Sequence, residues 1–479
     1  ETWNLKSKGV AIVSGVTVRD SNAASGNKIF ACQPSSGLNC DAGWVFNVPT
    51  STWTGAGGDN LFANGDNWAE GVAPTRDSIV YVNTAATISV GDEADARALT
   101  LVVEDGGTAT FTGSAKLVLD DSLQVMGGGT LVADVPIEVA NDVALFSGAT
   151  VTCSENGYWD GVTDPASLDY HRVIMCIGGN MIVESGAEVD VSGKGFASPS
   201  AVDYRCGPGA GSGGGYAGWG MRSGAPTTSY GSVFEPMSLG SAGYNDIAGG
   251  AVRLSIGGTL TLNGSVRANG RDASQSGLQS YKGSGGSIYV TCGALVGSGE
   301  IEARGGHCSN DLTGSGGRIS VVQTVATDFS DWSGSITAFG GRHQSDAQVP
   351  RAPCGTVFIK SVGEGGTILF DNDNGSHGDG VLDHNGYGYG YTDIVSTNYT
   401  TDVKRDFADV TLRLQRGTTV NLLYDLKVKD LEMLTANTEI RLNGHTLRVD
   451  SFKHELKGTV IEGGGRIDWL KPGLMIFIR

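Results

Sequence analysis

The chain has 479 residues, of which 51 are Asp or Glu and 33 are Lys or Arg, giving a formal charge of −18. That balance excludes the sequence-independent grip on phosphate that nucleic-acid binding needs, and adhesion to anionic lipid with it. Gly supplies 75 residues and Pro 12, with hydrophobics at 39% and charged residues at 18%, which excludes a collagen repeat and a disordered chain.

In chain order, residues 1–75 are the least regular stretch. They begin Glu1-Thr2-Trp3-Asn4, with neither an initiator Met nor a basic-apolar leader, which predicts a mature product whose secretory signal has been removed. Trp3, Trp44, Trp53 and Trp68 punctuate loops rich in Gly, Asn and Asp. A stack of parallel strands must hide its open first unit, so 1–75 reads as an irregular N-terminal cap. Stacking of carbohydrate on the tryptophans is the alternative.

From Ser78 to Thr152 short alternating runs follow one another, such as Ile79–Val82, Leu99–Val103, Leu117–Leu119 and Val143–Phe146, closed by Gly or Asp. An antiparallel sandwich has the same spacing. Continuity with the repeat downstream favours coils of one helix. A glycine-rich insertion occupies about 195–248. It lacks GxxxxGK[ST] and no helix follows, so a phosphate cradle is excluded, and it reads as a packed loop anchored by Tyr216, Trp219 and Tyr230.

From Gly249 to Lys360 the chain repeats itself. One phrase is Gly249-Gly250-Ala251-Val252, Gly285-Gly286-Ser287-Ile288 and Gly316-Gly317-Arg318-Ile319, with a degenerate copy at Cys354-Gly355-Thr356-Val357. A second runs between them: Val266-Arg267-Ala268-Asn269-Gly270, Ile301-Glu302-Ala303-Arg304-Gly305 and Ile336-Thr337-Ala338-Phe339-Gly340. A period of roughly 35 residues with short strands, glycine corners and no 3.6-residue periodicity predicts an all-β, right-handed parallel β-helix (a β-solenoid) over 76–479.

Beyond the repeat, Asp371, Asp373 and Asp379 form an oxygen-rich run that suits calcium, although it lacks the DxDxDG order and the distal Glu. Alternation resumes from Val410, and the last apolar run, Leu474–Ile478, is either a lid or a sticky end for copies of the chain. No run of about 18 apolar residues exists, so no membrane insertion is expected. Eight cysteines predict an oxidising compartment, with Cys32–Cys40 and Cys153–Cys176 as pairs and Cys206, Cys292, Cys308 and Cys354 open among three pairings.

The phrases Gly283–Val290, Gly299–Gly306 and Gly314–Val321 resemble the glycine-rich repeats of large secreted parallel β-helix proteins, the adhesin- and autotransporter-passenger-like surface proteins of bacteria. Asp66–Thr75 is similar to the segment that leads into such helices, and Leu442–Val449 to their distal coils. The resemblance implies a secreted or cell-surface location and carries over no catalytic residue.

Two functions fit. One is a structural or adhesive surface protein, glycan-binding or self-assembling; the other is a polysaccharide lyase or glycoside hydrolase on an acidic extracellular polysaccharide. No G-x-S-x-G, HExxH or compact carboxylate pair marks an active site, which favours the first. Alignment of the second phrase predicts a cationic ladder for an acidic glycan at Lys194, Arg271, His307 and Arg342, with His343 beside it. Ordinary ion pairs with Asp272, Asp311 and Asp346 are the bland reading. Tyr216 and Trp219 are the candidate aromatic contacts.

Overall fold

The computed structural model describes residues 2–7, 11–91, 94–198, 207–209, 214–218, 229–243, 246–272, 282–308, 313–342, 352–373, 392–393 and 407–470. These residues are all-β, and apart from one 3-10 turn at Gly65–Asn67 they contain no helix. Nearly every strand pairs in parallel with a partner further along the chain. The chain divides into two compact units: Glu1–Cys153, Val173–Val189 and Leu254–Gly264 form the first, and Ser154–Arg172, Asp190–Arg253 and Ser265–Arg479 the second.

In the first unit one ladder runs from Thr50–Thr52 to Ile79–Val82, then to the Ala96–Val103 and Leu117–Val125 strands. Each of the last two bends at a corner where Thr100 Oγ1 and Ser122 Oγ lie 3.0 Å apart in the interior. The next turn of chain opens that corner into two strands, Ile137–Val139 and Val143–Leu145. Alternation decides what is inside. Leu117, Leu119, Leu123, Val125, Ile137, Val139, Val143 and Leu145 are buried, each position stacking on its equivalent one strand away. On a second face Thr108, Thr130 and Thr150 align in one outward column, and Thr87 aligns with Thr110 in the next.

Residues 1–75 are more regular than they read. Ala11–Ser14, Ile29–Cys32 and Trp44–Val48 form a parallel ladder, and Thr17–Arg19 pairs with Ser36–Leu38. Left-handed backbone falls at Gly15, Asp20 and Asn39, with φ of 64°, 53° and 54°, and at Asn47, φ 59°, which bulges from the Trp44–Val48 strand. Asn and Asp tolerate this region, so three of these four positions carry no glycine. Trp53 and Trp68 are buried and pack edge to face at 5.0 Å, with the Trp68 indole N–H donating to the Phe62 carbonyl. They are core residues, which removes them as sugar platforms; Trp3 is exposed.

The cysteine pairs are not formed, and no disulfide bond joins the described residues. Cys32 is buried beside Phe30 and Val48, where burial pushes its thiol up. The Cys40 thiol faces the Val18 and Leu38 carbonyls at 3.7 and 3.6 Å. Cys153 points inward and Cys176 outward, so alternation sends the expected partners to opposite sides of their sheets. Cys292, Cys308 and Cys354 are buried, and Cys206 lies outside the described residues.

In the second unit both sequence phrases become ladders. Ser287–Cys292, Arg318–Gln323 and Thr356–Lys360 pair in register, as do Ser265–Arg267, Glu300–Glu302 and Ser335–Thr337. The phrases also join each other: the N–H groups of Gly286, Gly317 and Gly355 donate to the carbonyls of Ala268, Ala303 and Ala338 at 2.8, 2.7 and 2.6 Å. A Cβ on Gly317 would overlap the Gly286 carbonyl oxygen, and one on Gly355 would overlap that of Gly317. Backbone packs on backbone there, which is why the glycines recur.

The glycine-rich insertion packs on this repeat. Tyr216 and Tyr230 are fully buried with ring centroids 4.6 Å apart; the Tyr216 hydroxyl lies 2.7 Å from Ser287 Oγ. The buried Arg318 side chain donates from Nε to the Tyr230 carbonyl at 3.0 Å and lies over the Tyr216 ring. After Lys360 the chain reverses. Thr367–Asp371 pairs antiparallel with Thr356–Lys360, and Thr411–Gln415 and Asp430–Met433 then stack parallel to Thr367–Asp371. One hydrophobic cluster, including Phe234, Phe358, Ile368, Phe370, Phe407 and Leu412, continues across the reversal.

Candidate ligand groove

The second phrase builds a polar groove on the outer side of its ladder. In Ser265-Val266-Arg267 and Glu300-Ile301-Glu302 the middle residue is buried, so the flanking side chains project outward. Register sets Ser265 opposite Glu300 and Arg267 opposite Glu302. Arg267, Glu300 and Glu302, with Asp190, Ser192, Asn269, Gly270, Arg271, Asp272 and Arg304, line a groove of about 420 Å³.

Ion pairs hold nearly all of it. Arg267 donates from Nε and Nη2 to Glu300 Oε2 at 3.2 and 2.9 Å. Arg304 grips Asp272 with both terminal nitrogens at 2.7 and 2.8 Å, and its Nε lies 3.6 Å from Glu302 Oε2. Asn269 is fixed by donating from Nδ2 to Glu302 Oε2 at 2.5 Å and accepting from the Arg304 N–H at 2.8 Å. Ser192 Oγ accepts from the Asn269 N–H at 3.1 Å. Burial raises the Glu302 carboxyl above its ordinary range, against the pull of Arg304 and Asn269, and the like charge of Glu300 adds to the rise. Burial also acts on Asp272, but there the Arg304 fork outweighs it and holds the carboxyl below its usual range.

The predicted cationic ladder does not form. Continuing the register from Arg267–Glu302–Thr337 places Arg271 level with Gly306 and Gly341, and His307 level with Asp272 and Arg342. The alignment slipped because the first copy has one glycine, Gly270, where later copies have two, Gly305-Gly306 and Gly340-Gly341. Arg271 donates from Nε to buried Asp246 at 3.1 Å, and Lys194 lies 3.8 Å from Glu155. The His307 N–H donates to Asp272 at 2.8 Å, and His307 Nδ1 accepts from the Arg342 N–H at 3.0 Å. His343, Trp219 and Asp379 lie outside the described residues.

Two further expectations change. Tyr216 is fully buried and presents nothing to a ligand. Asp371 accepts from Arg416 Nε at 2.9 Å and from Gln415 Nε2 at 2.8 Å, while Asp373 lies 3.3 Å from Arg416 Nη1. A guanidinium thus sits where calcium was expected between Asp371 and Asp373, and the described residues contain no metal-binding cluster of His, Cys, Asp and Glu.

Glu300, Glu302, Arg267 and Arg304 were missed. Their signal was present: two short runs with an apolar centre and charged flanks, at the same point of the repeat. Together, fold and groove define an all-β protein of stacked parallel strands with an ion-paired outer groove. Comparison with protein-family models, curated proteins and solved structures gives no match to this chain.

Proposed function

We propose that this is a right-handed parallel β-helix of the secreted, glycine-rich kind, working at a cell surface or in a matrix as a non-catalytic adhesive protein that binds glycan in the groove. The observation that carries this reading is the pairing of each groove arginine with a carboxylate: Arg267 with Glu300, Arg304 with Asp272, Arg271 with Asp246. Side chains locked in this way present a preformed hydrogen-bonding surface without the cost of ordering it on binding. They are poor catalysts, because an arginine held by a carboxylate is kept protonated and does not serve as the base of an elimination.

The raised Glu302 carboxyl, with Glu300 two residues away, is the feature that favours the hydrolase alternative. It is outweighed because Glu302 is engaged by Asn269 and Arg304, and because both acids stand side by side on one strand rather than on either side of a scissile bond. A glycan array with the full chain tests binding. Incubation with neutral and acidic polysaccharides, followed for new reducing ends and for unsaturated uronate, tests catalysis. Binding without product is the expected result, and turnover above the buffer rate overturns the reading.

A further inference from the structure

Resting on the reading of the groove as a glycan site, we propose that it takes a neutral, hydroxyl-rich oligosaccharide and rejects uronate and sulfated chains. The groove lining holds four carboxylates, Asp190, Asp272, Glu300 and Glu302, against three guanidiniums, Arg267, Arg271 and Arg304. All three cations are engaged, and Asp246, which holds Arg271, is itself buried. An anionic sugar therefore meets excess negative charge and gains a guanidinium only by displacing a protein carboxylate already bonded to it.

The groove offers acceptors to a donor-rich ligand. Among the described residues the side-chain bonds made by Glu300 and Glu302 go to Oε2, and Oε1 of each is the atom that accepts from a ligand hydroxyl. Asn269, buried and bonded at both ends of its amide, fixes the Glu302 carboxylate in place. Arg267 and Glu302 occupy register-paired positions on adjacent strands, about 4.8 Å apart across the ladder, and Thr337 takes the same position on the next strand. That step is close to the length of one sugar ring in an extended chain, so successive rings meet Arg267, Glu302 and Thr337 in turn.

The test uses the full chain, titrated calorimetrically with neutral hexasaccharides of glucose, mannose and xylose and, separately, with oligogalacturonate and heparin-derived oligosaccharide. At least one neutral series binds the wild type, and the two anionic probes do not. In the double variant Glu300→Gln, Glu302→Gln, neutral binding falls at least tenfold and oligogalacturonate binding appears, because Arg267 loses its charged partner Glu300 and the lining carries two fewer negative charges, while Arg304 stays on Asp272. Circular dichroism checks the fold. If the double variant does not fold, Glu300→Gln alone replaces it, since among the described residues the Glu300 carboxylate bonds to Arg267 alone. Anionic binding by the wild type, neutral binding that the variants leave unchanged, or no neutral binding at all would overturn the proposal. Cleavage of a bound neutral chain instead sinks the non-catalytic reading while the ligand class stands.

Discussion

Among single residues Asp246 carries the heaviest structural load. Its carboxylate is buried and accepts from Arg271 Nε at 3.1 Å and the Gly283 N–H at 3.2 Å, with the buried Lys282 ammonium 3.4 Å away. Asp246→Ala removes the carboxylate and leaves the Lys282 charge in the interior, so a loss of about 3–5 kcal/mol is expected in denaturant titration. Its pH behaviour is opposite to that of Asp272. Burial raises the Asp246 carboxyl above 3.8, so the folded chain holds that proton longer than the unfolded one, and this group's contribution falls as pH rises through the interval. Asp272 lies below 3.8 in the folded chain because the Arg304 fork outweighs burial; its contribution is present above 3.8 and is lost as pH falls through its folded value. The stability gap between wild type and Asp272→Asn should therefore be widest at neutral pH and close in acid. A gap constant with pH would show that the fork does not set stability. Sequence singled out Arg271 for its charge, but Asp246 lies 25 positions away inside the glycine-rich insertion, which no spacing rule links.

At the scale of the element, the glycines of the repeat were readable as necessary but not for the right reason in every case. Gly317 has no left-handed φ to explain it; its Cβ is excluded by the Gly286 carbonyl. Gly106 sits at φ +73° in a turn with nothing within 4 Å of the Cβ position. Gly317→Ala should cost roughly 3 kcal/mol, because backbone on backbone does not yield, while Gly106→Ala should cost about 1 kcal/mol of conformational strain. Equal midpoints for the two variants in thermal melts would refute this ranking. The strands and the parallel repeat were legible because alternation and period survive in one sequence. The ladders of the first 52 residues were not, since their left-handed positions fall mostly on Asp20, Asn39 and Asn47, with Gly15 the one glycine at such a position among the described residues there. The register of the charged columns was lost to a single glycine more or less per copy. Cysteine parity was misread as pairing because burial alternates along a strand, and Cys153 and Cys176 face opposite ways.

For the molecule as a whole, the reversal after Lys360 is the feature that sequence least reveals, because Thr367–Asp371 carries the same alternation as the strands before it. Within the second unit the strands still stack in one order, Arg318–Gln323, Thr356–Lys360, Thr367–Asp371, Thr411–Gln415, Asp430–Met433, but the last three run the other way. Strands on the two sides of the hairpin therefore run in opposite directions within one stack. Stacked repeats gain stability from nearest neighbours, and among the described residues the strands beyond Thr367 join those before it through one antiparallel pairing, the Phe358, Ile368 and Phe370 cluster beneath it, and the bonds of Asn372 to Gly340 and Ala352. Gly366 makes the turn, at φ +98° with its Cβ position 2.6 Å from the Phe358 ring. Gly366→Val introduces both strain and overlap, worth roughly 3 kcal/mol. Hydrogen exchange should then show lost protection in Thr367–Asp371, Thr411–Gln415 and Asp430–Met433, with Ser287–Cys292 and Arg318–Gln323 unchanged. Uniform loss along the second unit would mean instead that the hairpin does not divide it, and that the aromatic cluster couples the strands on either side into one folding unit.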